Sequence, residues 1–558
     1  MKKKSLFLFG IFLGLLCSVA CSNKNNSSSL SSELVPEIII GENGNWIISG
    51  KDTQVKAKGE DGREVTFRIN SGVLEWKYVD EDSWTFLIDL ESDNENITSE
   101  EIKQEQEIVV SSLENSEVES SMSSENLEEI SSSEITELYS KGLILQEVTG
   151  EGYMVVGYEG EDNEIIIPSY YRNIPIYKIQ NEAFKGSSIR KINIGDNIRI
   201  IGECAFEESD IEEVIFNSNS QLEEIGDACF YNCHSLEKIN IPSTLKKLGE
   251  CAFFLLDSLI CEYDDIYGVK YIGNDENPHL ILYDSVGSSI KKCVVNKDCK
   301  FIADYAFTYC SQLGEIEIPE GVLSIGTSAL YSCGALRELY IPSSVNHIGN
   351  GTINCSSGIE KIVVNANNPY YDSRENSNAI IETKTNTLMY GCKNTFVPES
   401  ITSIRDKAFY GNDAIEELHI PKNVDSIGQY VFSMCSGLSK LSVDPKNATF
   451  TSRDSNGTEA NVIIKKGSYS QTLLYGGCSE DGTLIVPNGV TSIETEAFRG
   501  RLLLKEITIP KTVTSIKDYA FDYCKNLNTI YNASKLVFEI KSNSYGGIAY
   551  YATNIYNI

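Results

Sequence analysis

Sixteen cysteines and four histidines have the widest chemical repertoire in this 558-residue chain, and their spacing narrows it. Cys233, Cys310, Cys333, Cys435 and Cys524 each stand three residues after the aromatic or aliphatic residue of one recurring motif. Cysteines in an exported chain ordinarily predict disulfides. A cysteine that returns at one register of a repeat predicts instead a small buried hydrophobe lining a stack. No C-x-x-C pair occurs, and His234, His279, His347 and His419 are scattered, so no metal site is expected. Asp454-Ser-Asn456-Gly457-Thr-Glu459 offers oxygen ligands at spacings a calcium loop uses, without that loop's full length and terminal bidentate Glu. A polar hairpin tip is the expectation there. No G-x-S-x-G, H-E-x-x-H or P-loop sequence is present, and carboxylate pairs are too common in so acidic a chain to single any out. The chain therefore reads as non-catalytic, with no cofactor.

One polar series does recur at a fixed place. Asn193, Asn240, Glu317, Tyr340, Val363, His419, Ser442 and Thr508 occupy the centre of short alternating segments. Of these, Asn193, Asn240, Glu317, Tyr340, His419 and Thr508 are the candidate ligand-facing residues. The preceding position reads Lys191, Glu213, Lys238, Glu315, Glu338, Lys361, Glu417, Lys440 and Glu506. Signs mostly alternate, so neighbours on adjacent rungs can pair across a sheet for ~0.2–1 kcal/mol each. Such a row is either a solvated face held in register or an extended surface for a ligand.

The elements that position this row form a repeat. Ile201-Gly-Glu-Cys-Ala205-Phe206, Ile225-Gly-Asp-Ala-Cys229-Phe230 and Leu248-Gly-Glu-Cys-Ala252-Phe253 begin a series that runs to Ile516-Lys-Asp-Tyr-Ala520-Phe521, with a period of 23 residues broken by longer gaps. Between them lies apolar-x-x-apolar-x-apolar-Pro, as in Leu336-Arg-Glu-Leu339-Tyr-Ile341-Pro342. The alternation predicts one short strand per coil with its apolar side inward. Proline, lacking an N–H, ends it. Gly202, Gly226, Gly326 and Gly428 are expected to supply a positive φ at the turn back. Alanine allows coils to approach and phenylalanine fills the space between them. No coil buries its own face; stacking does so. The fold class is a repeat solenoid of parallel strands, with an irregular coil in each long gap.

Ile-Gly-x-x-Ala-Phe, Ile-Pro-x-x-Val and Ala-Phe-x-x-Cys resemble the BspA-like leucine-rich-repeat family. So do the insertions Asn367-Asn-Pro-Tyr-Tyr-Asp372-Ser-Arg374 and Asn447-Ala-Thr-Phe450-Thr-Ser-Arg453, and residues 272–283. The resemblance covers roughly 150–531. It implies a right-handed leucine-rich-repeat coil and an exported surface protein that adheres to host extracellular proteins or to other bacterial cells.

The remaining regions are read from composition. Lys2, Lys3 and Lys4, an apolar run from Leu6 to Leu16, and Ser18-Val19-Ala20-Cys21 resemble a lipoprotein signal, with Cys21 the acylated residue. Residues 1–20 are thus the expected signal peptide and 21–36 a Ser/Asn-rich tether. Residues 37–92 hold all three tryptophans and alternate at Val65–Ile69 and Val73–Tyr78, which predicts a small β-meander. Residues 93–140 are Glu/Ser-rich and read as a self-repelling stalk. The repeat domain is placed at 141–531, with 532–558 a Tyr-rich cap or tail. A net charge of −33 argues against nucleic acid as a partner. The expected location is the cell surface, with the lipid as membrane anchor. The alternative to an adhesion module is a structural or self-associating spacer without an outside ligand.

Overall fold

The computed structural model describes residues 140–558, apart from 455 and 469, and the backbone of six strand segments between residues 38 and 89. The chain divides into two units, 1–129 and 130–558. In the first, Ile38–Ile40, Asn45–Ile48 and Lys51–Lys56 form one antiparallel sheet. Val65–Asn70, Val73–Tyr78 and Thr85–Asp89 form another, with Phe67 opposite Trp76. The alternating segments read from the sequence are therefore paired strands. Cys21, the signal, the tether and residues 93–139 lie outside the described residues.

The second unit is a solenoid, and each regular coil contributes two short parallel strands rather than the one expected. The longer is the alternating segment. Lys191–Ile194 pairs residue for residue with Glu164–Ile167 on one side and Glu213–Phe216 on the other. Ile192 and Ile194 are buried while Lys191 and Asn193 face outward. The second is the two-residue step before the glycine: Ile200–Ile201 stacks on Glu224–Ile225, and that on Lys247–Leu248. Period 23 sets this step beside its own copy, so its backbone groups are satisfied by the next coil. Among the described residues there is no α-helix.

Phenylalanine fills the core as a ladder. Phe184, Phe206, Phe230 and Phe253 stack at centroid spacings of 5.1, 5.1 and 5.5 Å. Phe409 stacks on Phe432 at 5.4 Å and Phe498 on Phe521 at 4.8 Å. Each pair contributes ~0.5–1.5 kcal/mol beyond the area it buries.

The glycines act differently from expectation. Gly202, Gly226, Gly326 and Gly428 are absent from the positive-φ positions, which fall two residues later on Cys204, Ala228, Ser328 and Tyr430. What the glycine permits is close approach. A Cβ on Gly226 would sit 2.6 Å from the Glu203 amide nitrogen, and one on Gly326 2.5 Å from that of Asp304. The left-handed residue after it turns its amide toward the next coil, as Cys204 N–H does to Asp227 O at 2.8 Å.

Each long gap holds a three-stranded antiparallel unit instead of an irregular coil. The three are Glu262–Asp264, Val269–Ile272 and Ile281–Ser285; Tyr371–Asp372, Ala379–Glu382 and Thr387–Gly391; and Phe450–Arg453, Glu459–Lys465 and Gln471–Gly476. The third strand of each pairs in parallel with the following coil, which returns the chain to the stack. Stacking also continues beyond residue 531. Asn554–Asn557 pairs in parallel with Thr529–Asn532, and Phe538, Ile548, Ala549 and Ala552 are buried against it. Residues 532–558 thus make a further coil that lacks the Ala-Phe signature, which is why the pattern alone ended earlier.

Candidate binding face

The longer strands present the polar row outward, in segments separated by the insertions rather than as one sheet. The preceding position pairs as its signs predict. Lys191 meets Glu213 at 3.0 Å, Lys361 meets Glu338 at 3.1 Å and Lys440 meets Glu417 at 3.2 Å. Lys292, which the sequence row omitted, bridges Glu315 at 2.8 Å and Glu317 at 2.7 Å. The Lys292 ammonium holds the Glu317 carboxyl below its ordinary range. These pairs are exposed, so they set register more than stability.

The candidate residues fall into different environments. Asn240 spends its side-chain amide on its neighbour: Phe216 N–H donates to its Oδ1 at 2.9 Å, and its Nδ2 donates to Phe216 O at 2.7 Å. It replaces the ladder where the strand Lys238–Ile239 stops. Glu317 is engaged with Lys292. Asn193 lies in register between Ile166 and Ile215, and Thr508 between Ile485 and Tyr531. His419 Nδ1 lies 2.9 Å from Ser442 Oγ. Tyr340 is 44% exposed and is gripped at its hydroxyl by Asn365 Nδ2 at 2.7 Å. The same Nδ2 reaches Glu320 Oε1 at 3.0 Å, and Ser343 Oγ donates to Glu320 Oε2 at 2.7 Å. The Ser343 hydroxyl is the main cause of the lowered Glu320 pKa. Tyr340, Glu320, Asn365 and Ser343 thus form one polar platform. Glu320 and Asn365 are 45 residues apart, so no local pattern in the sequence marks them as a pair.

The recurring cysteines line the stack, and they also do something the sequence did not signal. Cys233 donates its thiol to Phe206 O at 2.9 Å, Cys333 to Phe307 O at 3.2 Å, and Cys524 to Phe498 O at 3.0 Å. Burial pushes the Cys333 and Cys524 thiols up to about 12, so they are hydrogen-bond donors rather than nucleophiles. The fourteen described cysteines are all free. Asp454 Oδ1 accepts from the Asn456 and Thr458 amides at 2.9 and 2.8 Å, capping its own hairpin tip. Among the described residues, no group of three His, Cys, Asp or Glu side chains is placed to hold a metal ion.

A stack of short parallel strands with inward Ile, Ala and Phe and an outward polar row defines a leucine-rich-repeat solenoid, a fold that is typically a non-catalytic scaffold. The repeat pattern described as BspA type leucine rich repeat region matches residues 164–274, 285–384, 375–458 and 471–556, in six copies. The chain belongs to this family, whose members are generally bacterial cell-surface proteins involved in surface interactions. Among solved structures, a leucine rich cell surface protein from Faecalibacterium prausnitzii is 21% identical, over 71% of this chain and 94% of that one, with a TM-score of 0.40. The pneumococcal vaccine antigen PcpA is 17% identical, over 72% and 88%, with a TM-score of 0.36. A leucine-rich repeat protein from Bacteroides ovatus is 20% identical, over 70% and 93%, with a TM-score of 0.29. No curated protein matches the chain. No helix among the described residues is long and apolar enough to cross a membrane.

Proposed function

We propose that this chain is an adhesin-type surface protein that binds host extracellular proteins or other bacterial cells through its solenoid and is held to the membrane by a lipid on Cys21. The observation that carries the reading is the outward strand row, in which Lys191, Lys361 and Lys440 are already paired with glutamates of neighbouring coils. A ligand meeting such a surface loses little to its reorganisation, which favours affinity. The Tyr340 platform supplies an exposed aromatic ring with fixed hydrogen-bonding groups around it. Aromatic side chains held in this way are frequent anchors of protein contacts.

The test is binding of the full chain, displayed on bacteria, to immobilised matrix proteins and to other bacterial cells. Saturable binding that falls at least tenfold in Tyr340→Ala with Asn365→Ala supports the reading. No saturable binding to any of them favours the spacer. Cys21→Ser is expected to move the protein from the membrane fraction into the medium, and its retention in membranes would refute the lipid anchor.

A further inference from the structure

Three insertions interrupt the solenoid, and two of them are sealed onto the coil before them by the same pair of side chains. In the second, Asn368 Nδ2 clamps Pro342 O and Val345 O, both at 2.8 Å, and Ser373 Oγ accepts the Val364 amide at 3.1 Å. The third repeats this: Asn447 Nδ2 clamps Pro421 O and Val424 O at 2.8 Å, and Ser452 Oγ accepts the Val443 amide at 3.1 Å. The hydroxyls of Tyr390 and Tyr475 donate back to the Gly349 and Gly428 carbonyls. The outer strands are tucked in, with Tyr371 and Phe450 buried.

The first insertion is tied down differently, by its two ends: Asn274 Nδ2 donates to Ile241 O at 2.6 Å, the Ile241 amide to Gly273 O at 2.9 Å and the Ile260 amide to Glu237 O at 2.9 Å, with no bond onto that coil from Glu262–Asp264. In the strand register the place of Tyr390 and Tyr475 is taken by Asp284, while Tyr283 donates to Leu256 O at 3.4 Å. Gly391 and Gly476 leave room for the rings of Phe409 and Phe498, whereas Ser285 brings a Cβ to that position. One column of amides runs across the second and third insertions, with Cys355 N–H donating to Tyr410 O and Met434 N–H to Arg499 O, both at 3.0 Å. Its member at the first insertion, Leu255, makes no such bond.

The outer strand Glu262–Asp264 ends its sheet as Tyr371–Asp372 and Phe450–Arg453 end theirs, but unlike them it is exposed along its length. It pairs only with Val269–Ile272. Ile260, Tyr263 and Ile266 are 65%, 51% and 79% exposed along it. Glu262 and Asp265 are exposed beside them and make no ion pair, while Lys270 is occupied by Asp284 at 3.3 Å. An apolar open edge ordinarily invites a second copy of the same chain. Here the carboxylates and a net charge of −33 repel one. An incoming strand of positive charge meets neither obstacle.

We infer that Glu262–Asp264 is a docking edge for an extended lysine- or arginine-rich segment of a partner protein, which adds to the sheet as a further strand. This rests on the binding reading above and names its place and the partner's chemistry. Backbone hydrogen bonds supply the attachment. The exposed apolar side chains supply contact area, and Glu262 with Asp265 selects the sign.

The probe is a synthetic eight-residue peptide of alternating lysine and valine, with a lysine–proline peptide of equal charge as control. With the full chain, the lysine–valine peptide is expected to saturate and to slow amide exchange within Glu262–Asp264. The lysine–proline peptide should bind at least tenfold more weakly. Glu262→Lys with Asp265→Lys, on the solvent side of the hairpin, should weaken the lysine–valine peptide at least tenfold. Tyr263→Pro, which removes an amide from the edge, should abolish the protection. Equal binding of the two peptides, protection elsewhere, or no binding overturns the inference. If the variants still adhere to matrix proteins or cells while the peptide result fails, this site falls and the adhesion reading stands. If the peptide result holds while nothing adheres, the site stands and the adhesion reading falls.

Discussion

Cys435 donates its thiol to the carbonyl oxygen of Phe409, one coil earlier, at 3.0 Å. Ser356 makes the same bond to Leu330 O at 2.7 Å. The position three residues after the ladder phenylalanine is thus a donor position, which cysteine fills with a small side chain that also packs.

Cys435→Ala should therefore cost more than the lost volume implies. It removes one of two donors to the buried Phe409 carbonyl, the other being the Asn412 amide at 3.0 Å, a loss of ~0.5–1.5 kcal/mol. Cys435→Ser, which keeps the donor, should lose less. Thermal unfolding followed by circular dichroism ranks the three proteins, and equal loss in both variants would show that packing alone matters.

Arg501 stands at this same position and is fully buried. Its Nε donates to Gly476 O at 2.8 Å, and its Nη1 to Phe432 O at 2.8 Å and Cys435 O at 2.9 Å. The third insertion moves the preceding ladder carbonyl 69 residues away, and only a long side chain reaches it. Arg501→Cys restores the residue usual for the repeat but removes three hydrogen bonds to buried carbonyls, of which Phe432 O and Cys435 O keep only a backbone amide at 3.3 Å each, so it should destabilise by about 3 kcal/mol. Urea unfolding monitored at that coil by amide exchange reads the loss, and a neutral result would mean the carbonyls find other donors.

Gly226 and Ala228 should respond with opposite signs although they lie in one turn. Gly226→Ala forces a Cβ to 2.6 Å from the Glu203 nitrogen and should destabilise by more than ~2 kcal/mol. Ala228 has φ 51°, and Ala228→Gly relieves a left-handed cost of about 1 kcal/mol. The melting temperatures of the two variants decide this. A gain from Gly226→Ala would refute the close-approach argument.

Asp304 accepts amides from two coils, Cys251 N–H and Thr327 N–H. Burial pushes its pKa up to about 6 against the pull of those amides, with Glu250 and Asp227 adding repulsion, and Tyr305 and Cys251 close by. The folded chain therefore holds this proton more tightly than the unfolded chain, whose carboxyl titrates near 3.8. The stabilisation is fully present below pH ~4, declines as pH rises to about 6, and amounts to ~3 kcal/mol in all. The stability of the native chain minus that of Asp304→Asn, measured from pH 4 to 7, should fall across that window. A difference that rises with pH would contradict the assignment.

Period and composition by themselves determined the solenoid, its inward Ile, Ala and Phe, the buried cysteines and the alternating charged row. Each of these depends only on which residue recurs every 23 positions, because stacking places a residue beside its own copy. The tertiary structure decided what depends on residues far apart or on backbone conformation. The role of Gly226 turned on a neighbouring coil's nitrogen, and Asn240 lost its freedom to the Phe216 backbone. The Tyr340 platform required Glu320 and Asn365 to meet. The insertions look alike as interruptions of the period. The shared Asn and Ser of the second and third insertions are visible in the sequence, but only the fold shows that they bond to the coil before and that the outer strand Glu262–Asp264 of the first insertion stays exposed.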